Sequence, residues 1–136
     1  MVQPIMKFPL FLARPSLPAT RADLPIAQDL LDTLAAHSDN CVGMAANMIG
    51  QHKRIIAIST GFSYIVMLNP VITSCKEPYE VQESCLSLEG ARKTTRYQTI
   101  EVSYLDQSFN PRRQVYTGWI AQVIQHEIDH CDGILI

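Results

Sequence analysis

The chain has 136 residues, 47% of them hydrophobic and 18% charged, with a formal net charge of -2. That size suits one domain with its own core, and the low, mixed charge excludes a disordered polyelectrolyte and leaves no broad basic surface for nucleic acid. The opening "KFPLFLARPSLP" is too broken by prolines for a membrane span or a signal peptide, so the expected location is the cytoplasm. Cys41, Cys75, Cys85 and Cys131 are too sparse for a disulfide framework.

Prolines at 4, 9, 15, 18 and 25 predict extended or turning chain at the start, with Pro25 in the first turn of a helix. That helix is expected from about Leu24 to His37, with Asp23 as its cap. Ile26, Leu30 and Leu34, joined by Ala27, Leu31 and Ala35, form its apolar face. "CVGMAANMIG" follows; it lacks the lysine and the serine or threonine of a phosphate loop, which excludes a nucleotide cradle. "RIIAI" and "YIVMLNP" read as short strands split by the turn-like "STGFS", and Cys75 falls in an expected loop with proline and lysine. "RKTTR" reads as a wet turn or a charged strand edge. In "TIEVSYLD", Ile100, Val102 and Tyr104 alternate with Glu101, Ser103 and Leu105, the period of a strand with one face on a core. "DQSFNPRRQ" is a turn before another strand near Val115 and Tyr116. No internal repeat or linker divides the chain.

After Gly118 the pattern predicts a helix to about Cys131. Trp119, Ile120, Val123, Ile124, Ile128 and Cys131 fall on its apolar side, with Gln122, Gln125 and Asp129 opposite. His126 and His130 share one edge of the apolar side, and Glu127 lies inside it, where a carboxylate must find a proton, a cation or a donor. Histidines four apart can aim imidazole nitrogens at one ion, with the intervening glutamate handling the proton of a bound water. A catalytic ion normally takes three protein ligands, and the spacing by itself also arises by chance. Among the cysteines, Cys131 points to the apolar side as a buried small hydrophobe, while composition does not choose between Cys75 and Cys85. His37 and His52 lie in no local ligand pattern and read as loop or helix-end residues.

"VGMAAN", "ESCLS" and "QHEIDH", in this order, resemble the three signature segments of the peptide deformylases. "LNPVI", "IEVSYLD" and "HCDGILI" extend the resemblance over nearly the whole chain. It implies a compact α+β domain over residues 1–136, with an antiparallel-rich sheet packed around a central metal-binding helix. It also implies metal-dependent removal of the formyl group from the N-formyl-methionyl end of new polypeptides, releasing formate. Cys85, His126 and His130 are then the metal ligands, with iron(II) as the expected ion and zinc, nickel or cobalt as substitutes. Glu127 is the implied general acid and base, and the backbone amide of Leu86 the implied oxyanion donor. Gly43, Met44 and Met48 are expected along the substrate cleft. Glu83 is placed there too, with an ordering role and Arg96 as partner. Transient proximity to the ribosome follows from the substrate.

Several positions depart from the family pattern. Cys41 and Ser84 stand where glycine is usual, and Met48 where the family has a glutamine whose amide donates to the oxyanion. The chain stops at Ile136, where many members continue; either the further residues were never there or the strand-like "GILI" closes the fold alone, and the shortness argues against tail-mediated contact with the ribosome. Two further readings are a deformylase-derived binding protein that keeps the ion and cleft with little turnover, and a structural metal domain with a closed site.

Overall fold

The computed structural model describes residues 1–136. Its elements in chain order are α1 (Pro9–Leu12), α2 (Leu24–Ala36), β1 (Gly43–Ala45), β2 (Ile55–Ser59), β3 (Tyr64–Cys85), β4 (Leu88–Leu105), β5 (Pro111–Thr117) and α3 (Gly118–Cys131), with short 3-10 turns at Arg21–Asp23 and Ala46–Ile49. The five strands form one antiparallel meander in the order β1-β2-β3-β4-β5. This is the expected α+β architecture.

Alternation along the strands divides the interior into two layers. Ile55 and Ala57 of β2, with Val66 and Leu68 of β3, face Leu30 and Leu34 of α2. Ile56, Ile58, Met67, Ile100 and Val102 point the other way, onto Ile124 and Ile128 of α3. "RIIAI" reads as an unbroken apolar run because β2 is buried on both faces. The helix α3 packs against β1, β2, β4 and β5, so the sheet curls around it.

The start of α3 follows β5 directly. Gly118 takes φ 64°, a left-handed turn open to glycine at little cost, and the chain passes from strand to helix without a loop. The expected polar side of α3 does not face water. Gln125 is buried and forms a two-way clamp with the backbone of Tyr97, accepting from its N–H at 2.9 Å and donating to its carbonyl at 2.9 Å. Asp129 accepts from Arg96, and Gln122 donates to Glu83. Trp119, placed on the apolar side by periodicity, is 51% exposed because it lies in the first turn, beyond the reach of the sheet.

Other local readings are corrected. The β3–β4 hairpin is much longer than the apolar segments suggest: β3 runs 22 residues and β4 18, and their polar ends pair with each other. Cys75 therefore sits in a strand, opposite Ile100, while "RKTTR" is the charged strand edge of its two readings, paired with β3 alone. Asp23 does not cap α2 through its side chain; its carboxylate accepts from the Thr20 N–H at 2.8 Å and closes the preceding 3-10 turn. "GILI" forms no strand, and Gly133 packs on the Ala13 backbone instead. A Cβ there would stand 2.4 Å from the Ala13 oxygen, a close approach that only glycine permits. No helix is long and apolar enough to cross a membrane.

Candidate active site

A cleft of about 430 Å³ opens where three elements converge. The segment leading into β1 forms one wall with Cys41, Val42 and Gly43; the end of the β3–β4 hairpin forms the other, from Gln82 to Leu86. Gln122, Val123, His126 and Glu127 of α3 make the floor, and Met48 also contributes to the lining.

Helical geometry stacks His126 and His130, and their Nε2 atoms face each other at 3.2 Å. The hairpin brings up Cys85, so the ligand atoms of Cys85, His126 and His130 all lie within 4.8 Å of one another. Pairing in the β3–β4 hairpin thus selects Cys85 over Cys75, which is exposed on the strand. His37 and His52 are engaged elsewhere: His37 Nδ1 meets the Thr33 carbonyl at 2.9 Å, and His52 Nε2 meets the Phe11 carbonyl at 2.8 Å.

The ordering of His126 is unusually complete. Its Nδ1 donates to Glu83 Oε1 at 2.8 Å, so Nε2 is the nitrogen turned toward Cys85 and His130, able to coordinate once it gives up its proton. Glu83 is itself clamped. Arg96 donates from Nε to both carboxylate oxygens at 3.1 and 3.0 Å and from Nη2 at 2.7 Å, and Gln122 donates to Oε2 at 2.8 Å. Arg96 is held in turn by Asp129 at 2.6 Å. Burial alone would raise the Glu83 pKa, but the bonds from His126, Arg96 and Gln122 pull it down to about 2. With both oxygens occupied, Glu83 orients His126 while still lining the cleft.

These residues fit a divalent ion. Two imidazole nitrogens bound tetrahedrally at about 2.0–2.1 Å stand about 3.3 Å apart, close to the observed separation. Burial lowers the His130 pKa to about 3, so its imidazole is neutral and able to coordinate at neutral pH. For His126 burial also disfavours charge, but Glu127, Cys85 and Glu83 outweigh it and raise the pKa to about 10. The negative surroundings that hold a proton there equally favour a metal cation. The Ser87 N–H lies 3.5 Å from the Cys85 sulfur, a weak donor toward the sulfur atom.

Glu127 is 3% exposed, and its Oε1 has no hydrogen-bond partner. Burial pushes its pKa up to about 7, a rise that the positive His126 opposes. Gly43 is what lets β1 approach it: a Cβ at this position would meet Val123 Cγ1 at 2.5 Å and Glu127 Oε2 at 3.0 Å. Leu86 lies in the turn after Cys85, lines the cleft, and its N–H donates to no group in the protein.

Two expected cleft residues behave differently. Met44 is 0% exposed and packs in the layer with Leu30 and Leu34, because alternation in β1 turns it away from Gly43 and the cleft. Met48 does line the cleft, but it is 1% exposed and its thioether offers no donor. Neither Cys41 nor Ser84 has a positive φ, so glycine is not required at either place. Gln122, Tyr79 and Asn47 were not singled out by sequence reasoning. Gln122 carried a signal, since it stands four residues before His126 and shares its helical edge. Asn47 carried none: it donates to the His130 carbonyl at 3.0 Å, tying the segment after β1 to the ligand helix.

A buried helix presenting two histidines and a carboxylate to a facing cysteine defines a metal-dependent hydrolase. Within that class the chain belongs to the polypeptide deformylase family, whose sequence profile matches residues 3–136. It is 54% identical to a peptide deformylase of Clostridium beijerinckii over 136 residues, covering 100% of both chains. Among solved structures, a peptide deformylase from Legionella pneumophila superposes with a TM-score of 0.89 at 30% identity, over 99% of this chain and 83% of that one. A class I type b peptide deformylase from Acinetobacter baumannii, bound to Met-Ala-Ser, superposes with a TM-score of 0.87 at 28% identity, over 99% and 97%.

Proposed function

We propose that this chain hydrolyses the formyl group from the N-formyl-methionyl end of new polypeptides, with Cys85, His126 and His130 holding one divalent ion. The observation that carries this reading is the convergence of those ligand atoms within 4.8 Å beside the buried Glu127. Iron(II) is the ion the family resemblance favours, and a thiolate with two imidazoles also suits zinc, nickel and cobalt. When bound, the ion supplies Lewis acidity, lowering the pKa of water and polarising a carbonyl.

The rest falls to the protein. Glu127, with a pKa of about 7 and an unpartnered Oε1, accepts the proton of the attacking water and returns it to the departing amine. The Leu86 N–H donates to the formyl oxygen as charge develops there. Glu83 keeps the proton of His126 on Nδ1, and Arg96 with Asp129 keeps Glu83 in place. Gly43 leaves room for Glu127 at the base of the cleft. The Met-Ala-Ser found in the Acinetobacter relative supports a peptide beginning with methionine as the ligand. Action on new chain ends implies the cytoplasm and transient proximity to the ribosome. The deciding experiment measures bound metal and formate release from a formyl-methionyl peptide after anaerobic purification, for the native chain and for Cys85→Ala, His126→Ala and His130→Ala. One ion per chain and formate release, both lost in the variants, is the expected result; full metal retention in all three would overturn the ligand set.

A further inference from the structure

We infer that Gln122 is a specificity-determining residue, whose side-chain amide offers a hydrogen-bond donor to the first side chain of the substrate. The inference rests on the deformylase reading and concerns which side chain that same site favours. Gln122 and His126 both line the cleft, with Val123 beside them. They are four positions apart on α3, so they lie about 6 Å apart along the helix axis. The Cα of a substrate's first residue is two bonds from its formyl carbon. With that carbon beside the ligand set, an unbranched four-atom side chain running along the floor ends near Gln122.

The amide of Gln122 has a defined orientation. Its Nε2 donates to Glu83 Oε2 at 2.8 Å, an oxygen that also accepts from Arg96 Nε at 3.0 Å. The opposite end of the amide accepts from the Tyr79 hydroxyl, Oε1 lying 3.4 Å away. Both contacts require the same orientation, which leaves the second N–H of Nε2 with no partner in the protein. Gln122 is half-buried and forms part of the cleft lining. The cleft lining is mixed, with Val42, Leu86 and Val123 alongside Asn40, Gln82 and Ser84.

A methionine side chain can answer that donor with its thioether sulfur, a weak acceptor. Norleucine has the same length but a methylene in place of the sulfur, so it desolvates the N–H without replacing the lost bond. A purely apolar subsite would favour norleucine or treat the two alike. The Gln122 subsite should favour methionine by about threefold to tenfold, the worth of one net hydrogen bond.

The test compares kcat/KM for formyl-Met-Ala-Ser and formyl-Nle-Ala-Ser with the metallated protein, its Gln122→Leu variant and its Gln122→Met variant. Loss of the bond to Glu83 should slow both peptides in the variants, and that common loss cancels in the ratio. We expect the methionine preference to disappear or reverse in both variants; if Gln122→Leu does not fold, Gln122→Met decides. Formate release with the same ratio in the native protein and a folded variant overturns the role of Gln122 and leaves the deformylase reading standing. No formate from either peptide with fully metallated native protein overturns both.

Discussion

Met48→Gln tests how the cleft handles the negative charge that develops on the formyl oxygen. In the native chain the position lines the cleft beside Cys85 and Leu86, yet its side chain is 1% exposed within the layer containing Met44, Leu30 and Leu34. A donor aimed at an oxyanion is worth about 2.7–4 kcal/mol, or about a hundredfold to a thousandfold in rate. On the proposed mechanism the Leu86 N–H and a bound ion would act on the same oxygen, so we expect the lower part of that range, a rise of up to about a hundredfold. The gain should fall on kcat rather than KM, because the charge exists only after attack has begun. Stability should move the other way. The new amide brings a carbonyl into an apolar layer, and leaving it unpaired costs about 1–3 kcal/mol, which lowers the Tm by about 3 to 12 °C in a domain of this size. The assay is steady-state deformylation at matched iron occupancy, paired with a thermal melt. A folded, fully metallated Met48→Gln protein with unchanged or lower kcat would refute the argument and show that this donor is not what limits the native enzyme.

Glu127→Ala should retain its metal while formate release falls by about a hundredfold to ten-thousandfold, because the carboxylate moves a proton without being a ligand; metal content and kcat measured together check this. Glu83 has a folded pKa of about 2 against an ordinary 4.5, so its contribution to stability is complete above about pH 4.5 and lost as pH falls toward 2. Thermal melts from pH 6 to pH 2 should therefore show a steeper acid loss for the native protein than for Glu83→Gln. The same variant should bind zinc about tenfold to a hundredfold more weakly in a chelator competition, since a neutral amide offers one weaker acceptor oxygen where the carboxylate gives two to His126, Arg96 and Gln122. Gly43→Ala places a methyl 2.5 Å from Val123 Cγ1 and 3.0 Å from Glu127 Oε2; a loss of about 1–3 kcal/mol by chemical denaturation, together with reduced kcat, is expected.

The sequence by itself carried the local determinants. Helical periodicity located α2 and α3 almost to their ends, because each helix closes its own hydrogen bonds and turns a regular apolar stripe to the sheet. The spacing of His126, Glu127 and His130 fixed their shared helical edge, and resemblance supplied Cys85 as their companion. Only the tertiary structure decided what depends on partners distant in sequence. The full length of the β3–β4 hairpin was hidden because its polar residues, from Lys76 to Arg92, are held by pairing with each other and carry little apolar pattern. The side of β1 on which Met44 lies, and the inward turn of Gln122, Gln125 and Asp129, were equally hidden. A helix wheel shows that these last residues are polar, but it does not show that a hairpin folds over them with Arg96, Glu83 and Tyr97 as partners. Burial and hydrogen bonding across that contact turn an ordinary polar face into the support of His126.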